Sequence, residues 1–259
     1  MARRLRPRKP DLSNVPEELD RKIRDSQFWK AVFRPGSPFR RGYQDNPRNR
    51  AMVMVNNLLY HLHPVKVKRH SVRFSYTLCL GGLSFFLFVI LTLTGIFLMF
   101  YYRPTDPEAW HDIAALHTTV NLGLLMRNMH RWGAHLMVFS VFLHMARVFY
   151  TGAYKPPREF NWIVGVLLLL LTLLLSFTGY LLPWDQLALW AVTVGTNIGG
   201  FAPVIGKQVN FVLLAGTEIS GATLLRWYVL HVLFFPFIIV ILMSVHFWRV
   251  RKDGFSGPL

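Results

Sequence analysis

Four histidines stand in two pairs on two separate apolar segments. His130 and His144 are 14 residues apart, and His231 and His246 are 15 apart. At about 1.5 Å of rise per residue, each pair spans roughly 21–22 Å of helix, about two-thirds of a ~30 Å hydrocarbon core. At about 100° per residue, 14 steps fall roughly 40° short of four turns and 15 steps roughly 60° past them, so each pair keeps to one broad face. Two such helices side by side offer two His/His sites, one above the other. Paired neutral imidazoles facing each other are what a bis-histidine haem needs. The spacing therefore implies a membrane electron carrier with two stacked b-type haems. A lone histidine in an apolar helix more often serves packing. His135, about 140° round the helix from His130, reads as structural. His61, His63, His70, His111 and His117 lie outside the apolar spans and receive no role.

Glycine repeats the interval: Gly81 and Gly95 are 14 apart, as are Gly165 and Gly179. Gly lets a backbone approach a flat macrocycle closely. Small residues also serve plain helix–helix packing, but the shared interval favours the haem. Arg127, Arg131, Arg147 and Arg226 flank the histidines. Anionic haem propionates suit their forks, with topological anchoring as the alternative. Cys79, the single cysteine, falls about one turn inside the first apolar stretch, at the depth of His144 and His246. There is no Cys-x-x-Cys-His for ordinary c-type attachment. By chemistry alone it reads as a buried thiol acting as a small hydrophobe.

The elements that must position these residues follow from composition. The chain has 259 residues, 53% of them hydrophobic, and a mean hydropathy of +0.32. Charge is unevenly placed: residues 1–75 carry a net +12 and the remainder a net +4. A basic block leading into a membrane span is explained by the positive-inside rule and anionic headgroups rather than by nucleic acid. One cysteine rules out an intramolecular disulfide. Residues 1–75 contain no hydrophobic region of a cleavable signal peptide.

Charge-free stretches and flanking aromatics predict four spans, at about 74–102, 122–150, 160–182 and 226–248. The fold class is an all-α membrane protein, a four-helix bundle enclosing two stacked haems. Basic clusters before the first span, after the second and after the fourth fall on one side if the helices alternate. Both termini are then cytoplasmic, and the two histidine helices run in the same direction. Met52, Val55, Leu58, Leu59 and Leu62 recur at helical spacing up to Pro64, which predicts an amphipathic helix on the membrane surface. Residues 1–50 read as a basic, largely irregular extension and residues 51–259 as the haem domain. The apolar stretch from Pro183 to Arg226 reads as short helices lying on the membrane.

Several runs of residues are similar to a known family. Arg127-Asn-Met-His130-Arg-Trp-Gly133-Ala, then His144-Met-Ala-Arg147, resembles the second helix of cytochrome b. Thr178-Gly-Tyr-Leu-Leu-Pro-Trp-Asp-Gln186, Pro203-Val-Ile-Gly206 and the closing Gly254-Phe-Ser-Gly-Pro-Leu259 resemble later parts. Together they are similar to cytochrome b6, the short form of b6f-type complexes, over about residues 50–259. The resemblance implies that His130 and His231 hold the lower-potential haem by an outer quinol site. His144 and His246 would hold the higher-potential haem by an inner quinone site, and Gly133 joins the haem contacts. Cys79, in Cys79-Leu-Gly-Gly82, matches the cysteine that attaches a third, c-type haem by one thioether. Trp184, Asp185 and Gln186 would form part of the outer quinol pocket, and Arg251 would help bind quinone.

The resemblance further implies a Q-cycle oxidoreductase of the bacterial cytoplasmic membrane, active only as a complex. One electron from quinol would go to a Rieske iron–sulfur protein and on to a cytochrome c or plastocyanin-like acceptor. The other would cross the two haems to quinone. Partners would include a cytochrome c-type subunit, lipids and a second copy in a dimeric complex, without nucleic acid. The family's later helices and their Pro-Glu-Trp-Tyr motif are absent, so a companion subunit should carry them. The extension 1–50 has no counterpart. Two other readings stay open on the residues alone: a haem b anchor of a dehydrogenase or hydrogenase, and a haem-free subunit whose histidines line a proton path.

Overall fold

The computed structural model describes residues 17–33, 46–57, 69 and 73–254, and among them there is no strand. The chain divides into two compact units, Met1–Val65 and Lys66–Leu259.

In the first unit the described residues form α1 (Glu17–Asp25), α2 (Gln27–Val32) and α3 (Pro47–Asn56). The described part of the extension, expected to be largely irregular, thus holds α1, α2 and the start of α3. Residues 17–32 hold helix formers, an i,i+4 pair between Arg24 and Asp20 at 2.7 Å, and a cap in which Ser26 accepts from the Trp29 N–H at 3.1 Å. Asn46 caps α3 in the same way, accepting from the Asn49 N–H at 2.8 Å. Met52 and Val55 lie on α3. Leu58, Leu59, Leu62 and Pro64 of the expected amphipathic helix lie outside the described residues.

The second unit begins with α4 (Phe74–Thr77) and α5 (Leu80–Met99). The first span was expected to run unbroken from 74. Instead Leu78 and Cys79 both take positive φ, 48° and 49°, and this left-handed turn ends α4 before α5 starts. After α6 (Glu108–Thr118) come the long α7 (Gly123–Tyr150) and α8 (Glu159–Leu181). Next are α9 (Gln186–Gly200), α10 (Gly206–Leu214) and a last span built of three pieces: α11 (Gly221–Val229), a π turn (Leu230–Phe234) and α12 (Phe235–Asp253). Among the described residues, four helices are long and apolar enough to cross a membrane: Leu80–Met99, Gly123–Tyr150, Glu159–Leu181 and Gly221–Asp253.

Within the spans α5 packs on α7, α7 on α8, and α8 on α12. Small hydroxyl residues fill those contacts, as close helix approach in a membrane requires. Ser84 and Ser140, both buried, share a hydrogen bond of 3.0 Å between α5 and α7. Large apolar side chains such as Phe86, Leu93, Leu136 and Phe237 point outward and are exposed.

The main apolar core lies at one end of the bundle. Tyr102, Leu181, Trp184, Val192, Leu214, Leu224 and Trp227 pack there between the ends of the spans and the connecting helices. Burial pushes the Tyr102 hydroxyl above its ordinary range, so it stays a donor. It donates to the Leu182 carbonyl at 2.6 Å, tying the end of the first span to the end of the third. Beside it Arg103 donates to Asp112 Oδ1 at 2.7 Å from Nη2, and to Oδ2 from Nε and the backbone N–H at 3.0 and 2.8 Å. The Arg103 side-chain bond holds the Asp112 carboxyl below its ordinary value of 3.8. A carboxyl lowered on folding stabilises the fold above that value, and the stabilisation is lost as pH falls through the lowered one. Asp112→Asn should therefore flatten the acid side of a melting-temperature profile below about pH 4. The change should be small, because Arg103 is exposed and screened. An unchanged acid slope would refute it.

Candidate haem-binding centre

The histidine helices α7 and α12 are each braced by a helix that carries glycines. On α5, an added Cβ at Gly95 would meet His130 Cε1 at 3.2 Å, and one at Gly81 would meet His144 Cε1 at 3.2 Å. On α8, a Cβ at Gly179 would meet His231 Cε1 at 2.6 Å, and one at Gly165 would meet His246 Cε1 at 3.8 Å. The four glycines thus stand against the edges of the four imidazoles. Gly133 does not: its Cβ would meet Leu91 Cδ2 at 3.3 Å, which places it in the α5–α7 packing.

The imidazoles meet in the expected pairs. The ring centres of His130 and His231 are 6.2 Å apart, and those of His144 and His246 are 6.5 Å apart. Metal–imidazole bonds run about 2.0–2.1 Å, and each nitrogen stands roughly 1.1 Å from its ring centre, so two axial imidazoles on one metal place their centres about 6.3 Å apart. Both pairs fit that figure. Among the described residues no group of three or more His, Cys, Asp or Glu converges, so any metal held here takes its remaining ligands from elsewhere, as a porphyrin supplies them.

The unequal intervals of 14 and 15 residues are reconciled by the π turn. His231 lies inside it, and the Phe235 N–H donates to the Leu230 carbonyl, five residues back. Pro236 follows, and in a continuous α-helix its ring would press on the carbonyl four residues earlier. Widening one turn relieves that and absorbs one extra residue. The fifteenth residue is therefore taken up locally, and His246 returns to the face that His231 occupies.

Hydrogen bonds set the ring orientation at one end. Thr94 Oγ1 donates to the Ile90 carbonyl at 2.8 Å and lies 3.0 Å from His130 Nδ1. Thr178 Oγ1 donates to the Leu174 carbonyl at 2.9 Å and lies 3.0 Å from His231 Nδ1, which is also 3.1 Å from the Leu175 carbonyl. Sequence reasoning passed over both threonines, although each directly precedes a glycine of the 14-residue repeat.

The other expected residues scatter. Arg127 Nη1 lies 2.7 Å from His117 Nε2, so His117, given no role by sequence, accepts from it. Arg147 donates to the Tyr76 carbonyl at 3.3 Å and stacks 4.3 Å over the Tyr76 ring. Arg226 donates to the Val212 carbonyl. Arg131 is exposed, and Arg251 is half-buried. Trp184 is buried in the apolar core with φ of 51°. Asp185 caps α9, accepting from the Ala188 N–H at 2.8 Å, and Gln186 is exposed. Cys79 is exposed, as the N-cap residue of α5 rather than a turn inside it. His135 lines an apolar cleft between α7 and α8 with Phe139, Leu173 and Ser176, away from both imidazole pairs.

As a class, this is a membrane-helix bundle that presents two bis-imidazole sites at separate depths. A family model described as cytochrome b/b6/petB matches residues 65–254. The menaquinol:cytochrome c reductase cytochrome b subunit of Bacillus subtilis (strain 168) is 48% identical over 200 residues, covering 77% of this chain and 87% of that protein. Cytochrome b6 of Heliomicrobium gestii is 43% identical over 197 residues, covering 76% of this chain and 91% of its own length. Among solved structures, a chain of a hyperthermophilic respiratory Complex III is similar at a TM-score of 0.68 and 30% identity, over 82% of this chain and 55% of that one. The present chain thus spans little more than half of that solved relative. It belongs to the cytochrome b/b6 family. Membership implies haem b and, with the four apolar helices, makes the chain an integral membrane protein.

Proposed function

We propose that this chain is the di-haem cytochrome b subunit of a quinol:cytochrome c oxidoreductase, carrying electrons across the membrane between an outer quinol site and an inner quinone site in a Q cycle. The observation that carries this reading is the two imidazole pairs at 6.2 and 6.5 Å, each ring backed by a glycine of the neighbouring helix. The relative named as a menaquinol:cytochrome c reductase subunit supports it. When bound, haem b at each pair supplies reversible one-electron chemistry. His130 and His231 would hold the haem toward the outer face, and His144 and His246 the one toward the inner face. Gly81, Gly95, Gly165 and Gly179 leave room for the rings and the macrocycles. Arg127, Arg131, Arg147 and Arg226 are the residues that would hold the anionic propionates.

Trp184 and Asp185 shape the segment beside the outer quinol site, and Gln186 is its exposed polar group. Arg251 serves the inner quinone site. Cys79 takes a third haem through one thioether; its exposure at a left-handed turn leaves the sulfur accessible. Residues 51–259 are the haem domain and 1–50 a basic extension. Companion chains carry the remaining cytochrome b helices, a Rieske iron–sulfur centre and a cytochrome c, with a plastocyanin-like protein as the other candidate acceptor. The complex is dimeric and sits with lipids in a bacterial cytoplasmic membrane, both termini of this chain inside.

Haem accounting tests this. Acidified acetone should extract two haem b per purified chain, measured as pyridine haemochrome, and a denaturing gel stained for haem should show one retained on this band. Cys79→Ser should abolish the stain and leave the two extractable haems. A colourless chain would overturn the reading. Two extractable haems with a clean band would keep the di-haem core and remove the role of Cys79.

A further inference from the structure

The two imidazole pairs are alike in spacing but not in what holds them from behind. At the His130/His231 pair both rings face a threonine hydroxyl at 3.0 Å. Each hydroxyl has one proton, and each gives it to the carbonyl four residues back on its own helix, Ile90 for Thr94 and Leu174 for Thr178. Toward the imidazole the oxygen can therefore only accept. Nδ1 of His130 and of His231 must carry the hydrogen, and Nε2 is left with its lone pair.

The His144/His246 pair has no counterpart to this. The residues preceding its glycines are Leu80 and Val164, which have no hydroxyl. His246 Nδ1 is buried, and it faces the Asn161 backbone rather than a hydroxyl. The threonine hydroxyl is thus present behind both rings of one pair, and apolar residues take its place before both glycines of the other.

We propose that Thr94 and Thr178 are positioning residues that hold the His130/His231 site at a lower reduction potential than the His144/His246 site. This rests on the bis-histidine reading above. A ligating histidine that donates its second N–H to a good acceptor becomes more basic toward the metal, and its ring plane is fixed. Greater electron donation stabilises the oxidised metal, which lowers the potential. The acceptor here is itself a hydrogen-bond donor to a carbonyl, which concentrates electron density on the hydroxyl oxygen. Both axial ligands of the one site receive this push, so the two effects add on a single metal.

The test is a redox titration of the intact complex followed at the haem b absorbance, with variants at both threonines. Thr94→Val and Thr178→Val keep the side-chain shape and remove only the hydroxyl. Each should move the low-potential wave upward, the double variant should move it further, and the high-potential wave should stay where it is. At a fixed ambient potential inside the low wave, the reduced fraction of that haem should rise several-fold. Thr94→Ser and Thr178→Ser keep the hydroxyl and should restore the wild-type wave. Loss of one haem from the valine variants with full retention in the serine variants would also support the proposal. Two waves unmoved in the double valine variant, with both haems retained, would overturn it and leave the bis-histidine reading intact. Wild-type protein without haem b would instead overturn that reading.

Discussion

Replacing His231 by Leu should remove one of the two extractable haems and leave the other; replacing His246 by Leu should remove the second and leave the first. Among the described residues, no third His, Cys, Asp or Glu joins either imidazole pair. A substituted position therefore has no understudy. The two sites are also built from separate parts of the same helices. His130 and His144 are 14 residues apart on α7, roughly 21 Å along the axis, and each ring has its own glycine on the bracing helix. Loss at one depth should leave the packing at the other in place. The expected readings are haemochrome content reduced by half, one of two waves missing from the redox titration, and a difference spectrum retaining a single b-type component. Equal loss of both haems from either variant would show that the sites fill cooperatively. No loss would show that the histidines are not the ligands.

The spans and the pairing of the histidines were legible because both rest on coarse properties. A run of 20 or more apolar residues needs only hydropathy to be seen, and two ligands at one depth need only helical rise. What stayed hidden depends on single backbone events. The break at Leu78 and Cys79 falls in a run with no glycine or proline until Gly81, and non-glycine residues at positive φ leave no compositional mark. It moves Cys79 from a helix interior to an exposed cap. The π turn did have a signal, Pro236 inside an apolar run and the odd fifteenth residue, but only together do they imply a widened turn. Helix α6 (Glu108–Thr118) escaped notice because its polar face and short length resemble a loop between spans.

The arginines show the same limit in another form. Their positions beside the histidines suggested propionates, yet side-chain direction decides what a long guanidinium reaches. In the fold Arg127 bonds His117, Arg147 bonds the Tyr76 carbonyl and Arg226 bonds the Val212 carbonyl. Two of these partners are backbone groups, invisible to any motif. The threonines are the opposite case. Thr94-Gly95 and Thr178-Gly179 could have been read as one repeated dipeptide, but the hydroxyl gains meaning only when the fold brings α5 against α7 and α8 against the π turn.

Alanine at the four glycines should give a graded loss of haem, ordered by the space each imidazole leaves. At Gly179 the new Cβ would stand 2.6 Å from His231 Cε1 and 3.2 Å from both ring nitrogens. That ring cannot turn away, because its Nδ1 is held between Thr178 and the Leu175 carbonyl. Overpacking of a constrained site costs about 1–3 kcal/mol, and here it falls on the geometry of an axial ligand. Gly179→Ala should therefore weaken retention of the His130/His231 haem by tenfold or more, in line with the ~1.4 kcal/mol that separates tenfold steps. Gly95→Ala and Gly81→Ala, at 3.2 Å, ask for a shift of a few tenths of an ångström and should show milder loss, at opposite ends of the bundle. Gly165→Ala, at 3.8 Å from His246 Cε1, makes an ordinary contact and should retain haem as wild type does. Haem-to-protein ratios after mild detergent washing read the order directly. If Gly165→Ala proved as damaging as Gly179→Ala, the glycines would be clearing space for the macrocycle face and not for the imidazole edge, because only the macrocycle presents the same demand at all four positions.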